Sequence, residues 1–176
     1  MKPLNLTELI SKEDLQKKVD EIGTKITEEF KGEDLTAICI LKGSCMYFAD
    51  LVRSIDLDIQ CEFFGVSSYG GGTSSSGEVK TTLDLTVPLE GKNVLLVEDI
   101  VDTGLTMNFL KKNIGARMPK RLMTTSLLFK PAALKTDCTI DHVGFEIENR
   151  FVVGYGLDYQ GYYRNLPYIA QSSDFN

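Results

Sequence analysis

The sequence predicts an α/β protein with a mainly parallel twisted sheet flanked by helices. Short apolar runs of strand length alternate with amphipathic stretches, in the order strand, helix, strand, strand, strand, helix, strand. The run Val94 to Val97 has no polar alternation, which is typical of a strand covered on both faces. The 176 residues fit one domain that can bury its own core.

A scaffold helix is predicted near the amino terminus. Ser11 is a candidate N-cap, and Asp14, three places on, gives an acidic variant of the capping box. Gly32 follows the last apolar position. The apolar stripe recurs every three or four residues, at Leu15, Val19, Ile22, Ile26 and Phe30. This pattern indicates packing rather than an active site.

The next segments form the first part of a βαβ unit. A strand is predicted at Thr36–Leu41, and the turn Lys42-Gly43-Ser44 separates it from a second amphipathic stretch. That stretch carries Phe48, Leu51, Val52 and Ile55. Because the turn lies between a strand end and a helix start, it is a candidate anion site. A plain turn with a solvated lysine fits these residues equally well.

A strand at Ile59–Val66 leads into the segment Ser67–Gly77, which consists almost entirely of glycine and serine. Such a composition cannot offset its ordering entropy by burying apolar area. A linker between domains is one interpretation, but strand-like residues resume at Val79–Leu85. We therefore expect an active-site lid, with Tyr69 as its one large side chain.

The stretch Val94–Thr106, VLLVEDIVDTGLT, is the most informative part of the chain. Its apolar run is followed by three carboxylates and then by residues typical of a phosphate loop: Glu98, Asp99, Asp102, Thr103, Gly104 and Thr106. Carboxylates at the carboxyl end of a buried strand meet a metal or sugar hydroxyls. Backbone N–H groups at the start of the following helix bind phosphate. An acidic turn with Thr103 as an N-cap is the simpler alternative.

The remaining elements complete the predicted sheet. Gly115 is a plausible stop for a helix with an apolar face, and a strand at Arg121–Phe129 ends at Lys130. Two further β-like runs are predicted at Val143–Ile147 and Phe151–Val153. The apolar face of the helix consists of Leu105, Phe109, Leu110 and Ile114.

Composition excludes several classes of protein. A net charge of -6 and a pI near 4.9 argue against a general nucleic-acid surface. Without a signal peptide or an apolar run of membrane length, we expect a cytoplasmic protein with no membrane contact. The four cysteines, Cys39, Cys45, Cys61 and Cys138, lack metal-site spacing, so buried reduced thiols are expected. For His142 we expect a structural role.

Together these residues resemble the type I phosphoribosyltransferases, and specifically the hypoxanthine-guanine phosphoribosyltransferase family. The resemblance extends from about Leu35 to Ile169 and is carried by VLLVEDIVDTGLT, LKGSCMYFADL, SSYGGGTSSSG, SLLFK and FVVGYGLDYQGYYRNLPY. It implies the type I phosphoribosyltransferase fold in a single domain over residues 1–176. The core would span about 35–150, and a small hood would come from about 1–12 and 150–176.

The resemblance also implies a reaction in purine salvage. The 5-phosphoribosyl group of 5-phosphoribosyl-1-pyrophosphate (PRPP) would pass to hypoxanthine, and to guanine, giving IMP or GMP and pyrophosphate. Mg²⁺ would be needed to gather the pyrophosphate, because an acidic chain has few cations to spare. Members of the family usually form dimers or tetramers, so a homodimer or homotetramer is expected.

Roles for the sugar-pyrophosphate site follow from the resemblance. Glu98 and Asp99 would meet the ribose hydroxyls directly or through metal-bound water. Asp102 would take the proton from purine N7 as the catalytic base. The 5′-phosphate loop would comprise Asp102, Thr103, Gly104, Leu105 and Thr106. Pyrophosphate would contact Lys42, Gly43 and Arg164, and the family places a cis peptide before the lysine.

Roles at the base follow in the same way. Lys130 would donate a hydrogen bond to the exocyclic 6-oxygen of the purine. The 6-amino group of adenine could not accept this bond. Phe151 would stack on the purine, with Ile100 on the other ring face and the backbone of Val152 at the other edge. Asp158 would hold a second Mg²⁺. Ser68 and Tyr69 would come from the lid and exclude water.

Alternatives from other classes explain fewer of these residues. A pyrimidine enzyme does not account for Lys130 with FVVGYGLDY, although a xanthine-preferring enzyme would. A regulator of the same fold that binds RNA or DNA needs a basic face, which an acidic chain lacks. A receiver-type signalling domain places carboxylates after strands but does not explain TGLT or the Gly-Ser segment.

Overall fold

A computed structural model describes residues 4–68 and 79–175. Three helices flank two sheets within these ranges. The helices are α1 (Lys12–Glu29), α2 (Cys45–Arg53) and α3 (Leu105–Gly115). The strands are β1 (Leu6–Ile10), β2 (Leu35–Leu41), β3 (Ile59–Ser68), β4 (Val79–Leu83), β5 (Asn93–Val101), β6 (Arg121–Phe129), β7 (His142–Glu146), β8 (Val152–Val153) and β9 (Ile169–Ser172).

The larger sheet has six strands in the order β4-β3-β2-β5-β6-β7. All neighbours pair in parallel except β3 and β4, which are antiparallel. The α/β architecture with a mainly parallel sheet is therefore confirmed. Because parallel strands end at the same edge, the residues after Leu41, Val101 and Phe129 are brought to one side of the molecule.

The central strand β5 is covered on both faces, as its unbroken apolar run predicts. Leu95 and Val97 pack in a core cluster with α1 and α2, whereas Val94 and Leu96 pack in a second cluster with α3. All four side chains are fully buried. Successive side chains of β5 thus point to opposite faces of the sheet, and apolar partners cover both faces.

The first helix is capped as predicted. Ser11 Oγ accepts a hydrogen bond from the Asp14 amide at 3.1 Å and donates to the Asp14 carboxylate at 2.7 Å. Its apolar stripe is buried. No helix within residues 4–68 and 79–175 is long and apolar enough to cross a membrane.

The smaller sheet is antiparallel, in the order β1-β9-β8. We call residues 151–175 together with β1 the hood. The strand β9 lies between β1 and β8 in this sheet and pairs with both of them. Apolar residues of the hood, among them Ile10, Val152 and Ile169, belong to the same core cluster as α1 and α2. The hood therefore packs on the main sheet's helices rather than standing apart.

The expectation for the cysteines is partly wrong. All four are free, but Cys39 alone is fully buried, while Cys61 is exposed. Cys61 and Phe63 lie two residues apart on the same face of β3, and both are exposed. For His142, Nε2 lies 2.9 Å from Glu29 Oε1 at the end of α1, in agreement with a structural role.

Candidate active site

The candidate site begins where β5 and β6 end side by side. Val101 pairs with Phe129, and the Lys130 amide donates to the Val101 carbonyl at 2.9 Å. Strand register thus places Lys130 opposite the acidic turn that follows β5. The site is built by parallel pairing between segments that are about thirty residues apart in sequence.

Lys130 and Asp102 form the polar centre of this edge. Lys130 Nζ lies 3.4 Å from Asp102 Oδ2, and the lysine side chain is 8% exposed against 46% for the aspartate. A buried ammonium is costly unless it is paired or bonded to an acceptor. Asp102 is the side-chain partner of this buried cation within the described residues.

Glu98 and Asp99 are carboxylates taken largely out of water. Glu98 is 7% exposed, and its Oε2 has no hydrogen-bond partner among the described residues. Burial, together with the neighbouring charge of Asp99, raises the pKa of Glu98 well above its ordinary value. Burial also raises the pKa of Asp99 to about 6, against the opposing hydrogen bond from the Ile100 amide. Bound cations would neutralise both groups.

The loop after β5 encloses a cleft of about 210 Å³. Gly104 is the N-cap of α3 with φ of 81°, and no side chain caps the helix there. A Cβ at this position would lie 3.0 Å from Cys138 Cβ and 3.1 Å from the Thr136 carbonyl oxygen. Glycine is therefore required at this position, and the first turn of α3 begins at the cleft without a side-chain cap. The cleft is lined by Glu98, Asp99, Ile100, Val101, Asp102, Thr103, Gly104, Thr106 and Met107.

The turn after β2 lies against this carboxylate pair. The Leu41–Lys42 peptide is cis, as the resemblance implies, and Lys42 is exposed. A Cβ on Gly43 would lie 1.5 Å from Asp99 Oδ2. No larger residue fits without displacing the Asp99 carboxylate, so the backbone of the turn closes the site from the β2 side.

The hood contributes a second charged pair. Arg164 Nη2 lies 2.7 Å from Asp158 Oδ1, and Arg164 Nη1 donates to the Gly156 carbonyl at 2.6 Å. The Gly161 amide donates to Asp158 Oδ2 at 2.7 Å. Both carboxylate oxygens of Asp158 and two arginine nitrogens are thus already engaged by hood residues.

An aromatic cluster surrounds the predicted stacking residue Phe151. Its ring centroid lies 4.4 Å from that of Phe175 and 5.7 Å from that of Tyr159. Asp174, next to Phe175, accepts from the Asn5 amide at 2.7 Å, so the carboxyl-terminal turn is tied to the amino-terminal segment. Sequence analysis assigned no role to this tail, and a lone aromatic outside any periodic pattern gives no local signal.

The other predicted residues are distributed as follows. Ile100 is half-buried at the cleft, and Val152 is buried in β8, paired with Gln171 of β9. Of the predicted lid, Ser68 ends β3, whereas Tyr69 and the Gly-Ser residues up to Gly77 lie outside the described residues. Within those described ranges, no group of three or more acidic, cysteine or histidine side chains forms a metal site by itself.

Fold and site together define an α/β protein with a glycine-capped helix start at the carboxyl edge of a parallel sheet and acidic residues beside it. The chain belongs to the phosphoribosyl transferase domain family, whose profile matches residues 6–160.

Particular relatives narrow this class. The chain is 48% identical over 162 residues to a hypoxanthine-guanine phosphoribosyltransferase of Bacillus subtilis, covering 92% of this chain and 90% of the relative. A crystal structure of a hypoxanthine-guanine phosphoribosyltransferase from Bacillus anthracis superposes with a TM-score of 0.90 at 46% identity, over 96% of this chain and 99% of that one. A Trypanosoma cruzi hypoxanthine phosphoribosyl transferase gives a TM-score of 0.91 at 38% identity, over 99% and 94% of the two chains.

Proposed function

We propose that the protein is a purine-salvage transferase that moves the 5-phosphoribosyl group of PRPP to hypoxanthine and to guanine, releasing pyrophosphate. The observation that carries this proposal is the 3.4 Å pair of Lys130 Nζ and Asp102 Oδ2 beside the phosphate-loop cleft. The relatives at 48% and 46% identity, named as hypoxanthine-guanine phosphoribosyltransferases, support it.

The Lys130–Asp102 pair matches one edge of a 6-oxopurine. The exocyclic oxygen and N7 are neighbours on that edge, one an acceptor and the other carrying a proton in the reactive tautomer. Lys130 donates to the oxygen, and Asp102 takes the N7 proton while N9 bonds to the anomeric carbon and the bond to pyrophosphate breaks. An amino group at the same position would leave the buried lysine without an acceptor, at a cost of roughly 1 to 3 kcal/mol.

The sugar and its phosphates occupy the acidic turn and the loop in this proposal. Glu98 and Asp99 face the ribose hydroxyls, and the amides and hydroxyls of Thr103 to Thr106 bind the 5′-phosphate. The orphaned Oε2 of Glu98 and the raised pKa of Asp99 fit a neighbouring cation. Mg²⁺ prefers oxygen ligands and binds through one or two carboxylates plus substrate phosphates, so Glu98 and Asp99 would hold it, with Asp158 at a second site. Bound there, it neutralises the charge that develops on the leaving pyrophosphate.

The hood and the β2 turn complete the site. Phe151 stacks on the purine with Ile100 opposite, the backbone of Val152 meets its other edge, and Lys42, Gly43 and Arg164 serve the pyrophosphate. Ser68 and Tyr69 act as the lid. We further propose a single domain, with hood and core as its two parts, that acts in the cytoplasm as a homodimer or homotetramer.

Competitive turnover tests this proposal. Purified protein with Mg²⁺ and PRPP is offered hypoxanthine, guanine, xanthine and adenine together, and the nucleotides are separated by chromatography. IMP and GMP should form, and AMP should stay at the level of a reaction without enzyme. Turnover of adenine at a rate comparable to that of hypoxanthine would remove Lys130 as the discriminating donor. Absence of turnover with every 6-oxopurine would reject the transferase.

A further inference from the structure

The structure assigns a positioning role to Tyr155, a residue that belongs to neither the base site nor the phosphate loop described above. We propose that its hydroxyl, bonded to Asp50, fixes the hood turn 154–157 on α2 and so sets the position of Gly43 against Asp99. This inference rests on the proposed transferase, because the consequence it predicts is a weakened PRPP site.

The backbone at Tyr155 shows that the turn is held in an uncommon conformation. Tyr155 has φ of 47°, between Gly154 and Gly156, which both have φ of 102°. A residue with a bulky side chain rarely adopts positive φ, and it persists there when its surroundings over-determine the conformation. The tyrosine ring is 8% exposed and belongs to the core cluster with α1 and α2.

The hydroxyl makes the bond that joins hood and core at this point. Tyr155 Oη donates to Asp50 Oδ2 at 2.5 Å, and Asp50 also pairs with Arg53 on the same helix. Burial, followed by the hydrogen bond to Asp50, raises the pKa of the Tyr155 phenol, so it remains a neutral donor at physiological pH. A hydrogen bond to an ionised acceptor is stronger than one between neutral groups, so this bond is a firm link between hood and α2.

The hood turn 154–157 lies directly against the β2 turn, which contains Gly43. A Cβ on Gly156 would lie 2.0 Å from the Gly43 carbonyl oxygen, and a Cβ on Gly43 would lie 1.5 Å from Asp99 Oδ2. Hood turn, β2 turn and carboxylate are therefore stacked without free space between them. Because α2 begins directly after the β2 turn, Asp50 anchors the hood to the helix that follows Gly43. A displaced hood turn must move Gly43 relative to Asp99.

A second buried tyrosine on α2 provides a matched control. Tyr47 is fully buried, and its hydroxyl lies 2.6 Å from Thr125 Oγ1 of β6, within the core. Tyr47→Phe and Tyr155→Phe remove the same group from equally inaccessible surroundings. The Tyr155 bond alone of these two reaches the hood, so the pair separates loss of stability from loss of positioning.

The experiment compares both variants by calorimetric binding of PRPP with Mg²⁺, by steady-state kinetics and by thermal unfolding. Tyr155→Phe should weaken PRPP binding and raise its KM about tenfold, with a smaller change in kcat, because a displaced loop of this kind costs binding before chemistry. Tyr47→Phe should lower the melting temperature about as much as Tyr155→Phe does. It should leave the KM for PRPP within about twofold of the wild-type value.

Variants of Asp50 test the same hydrogen bond from its acceptor side if Tyr155→Phe folds poorly. Asp50→Asn retains an acceptor and should bind PRPP nearly as the wild type does, whereas Asp50→Ala should reproduce the tenfold loss. The double variant Tyr155→Phe/Asp50→Ala should be no weaker than either single one, since both remove one bond.

Two results would overturn the inference: additive losses in that double variant, or Tyr155→Phe losing thermal stability while keeping wild-type PRPP binding. PRPP binding is measured without turnover. A wild-type protein that binds PRPP but converts no 6-oxopurine would therefore contradict the proposed function and not the role of Tyr155.

Discussion

The candidate site has a core half at the end of β5 and a hood half around Asp158, and the carboxylates Glu98 and Asp99 of the first lie in different surroundings from Asp158 of the second. In the core half, Glu98 Oε2 lacks a partner within the described residues, and the pKa of Asp99 is raised to about 6 by burial. In the hood half, Asp158 accepts from the Gly161 amide and pairs with Arg164, which also donates to the Gly156 carbonyl.

This difference indicates which half has negative charge that is not compensated in the free protein. Buried carboxylates that no cation pairs with destabilise the free protein and favour cation binding, because a bound cation compensates the buried negative charge. A saturated pair stabilises the free protein and keeps its geometry when the ligand leaves. The carboxylates of the core half thus need a cation from outside the fold, whereas Asp158 of the hood half is already paired with Arg164 in the free protein.

The largest effect is expected at Asp102, the core carboxylate that we propose as the acceptor of the N7 proton. Asp102→Asn keeps the size of the side chain and removes the base, so kcat should fall by about 10² to 10⁴. PRPP affinity, measured by calorimetry, should change far less, since the phosphate loop keeps its amides. An unchanged kcat would show that another group accepts the N7 proton.

A smaller effect is expected at Lys130, which tests whether the core half reads the base. Lys130→Met keeps the aliphatic stem and removes the donor, so the KM for hypoxanthine should rise by about 10 to 100-fold, equivalent to one hydrogen bond to a charged group. Lys111→Met is the control, because Lys111 Nζ bonds to Thr139 rather than to the acidic turn. Loss of PRPP affinity with an unchanged KM for hypoxanthine would assign Lys130 to the sugar site instead.

The main sheet and the hood strand β8 were predictable from sequence, whereas the hood strands β1 and β9 were not. Buried parallel strands are predicted by the length and apolar composition of three segments: the run before Glu98, Thr36–Leu41 and Arg121–Phe129. The strands β1 and β9 are short and partly polar, and they pair with each other across nearly the whole chain, from Leu6 to Ser172. Such pairing leaves no local periodicity to detect.

The same limit applies to the site. Glu98 to Thr106 could be found because carboxylates and a phosphate loop follow one strand in sequence. The Tyr155–Asp50 bond joins residues that are 105 positions apart, and the Gly156–Gly43 contact depends on a turn whose φ angles no single residue type reveals. Gly104 rather than Thr103 is the N-cap of α3, because the close approach of Thr136 and Cys138 excludes a side chain there.

The pH dependence of stability follows from Asp99. Its ordinary pKa is 3.8 and its folded pKa is about 6, so between these values the folded state binds more protons than the unfolded state. The contribution of Asp99 to the free energy of unfolding therefore falls as pH rises from about 4 to 6 and stays low above 6. In Asp99→Asn this loss is removed, and the variant should gain stability over the wild type progressively across that window.

The most direct test of the contrast between the halves is the free energy of unfolding of Asp99→Asn and Asp158→Asn, measured by urea denaturation with EDTA and without ligand at pH 8. Asp99→Asn should be more stable than the wild type by on the order of 3 kcal/mol, since the shift of the Asp99 pKa from 3.8 to about 6 is removed. Asp158→Asn should be less stable by about 1 kcal/mol, because it breaks the pair with Arg164. Destabilisation by both substitutions, or stabilisation by Asp158→Asn, would contradict the account.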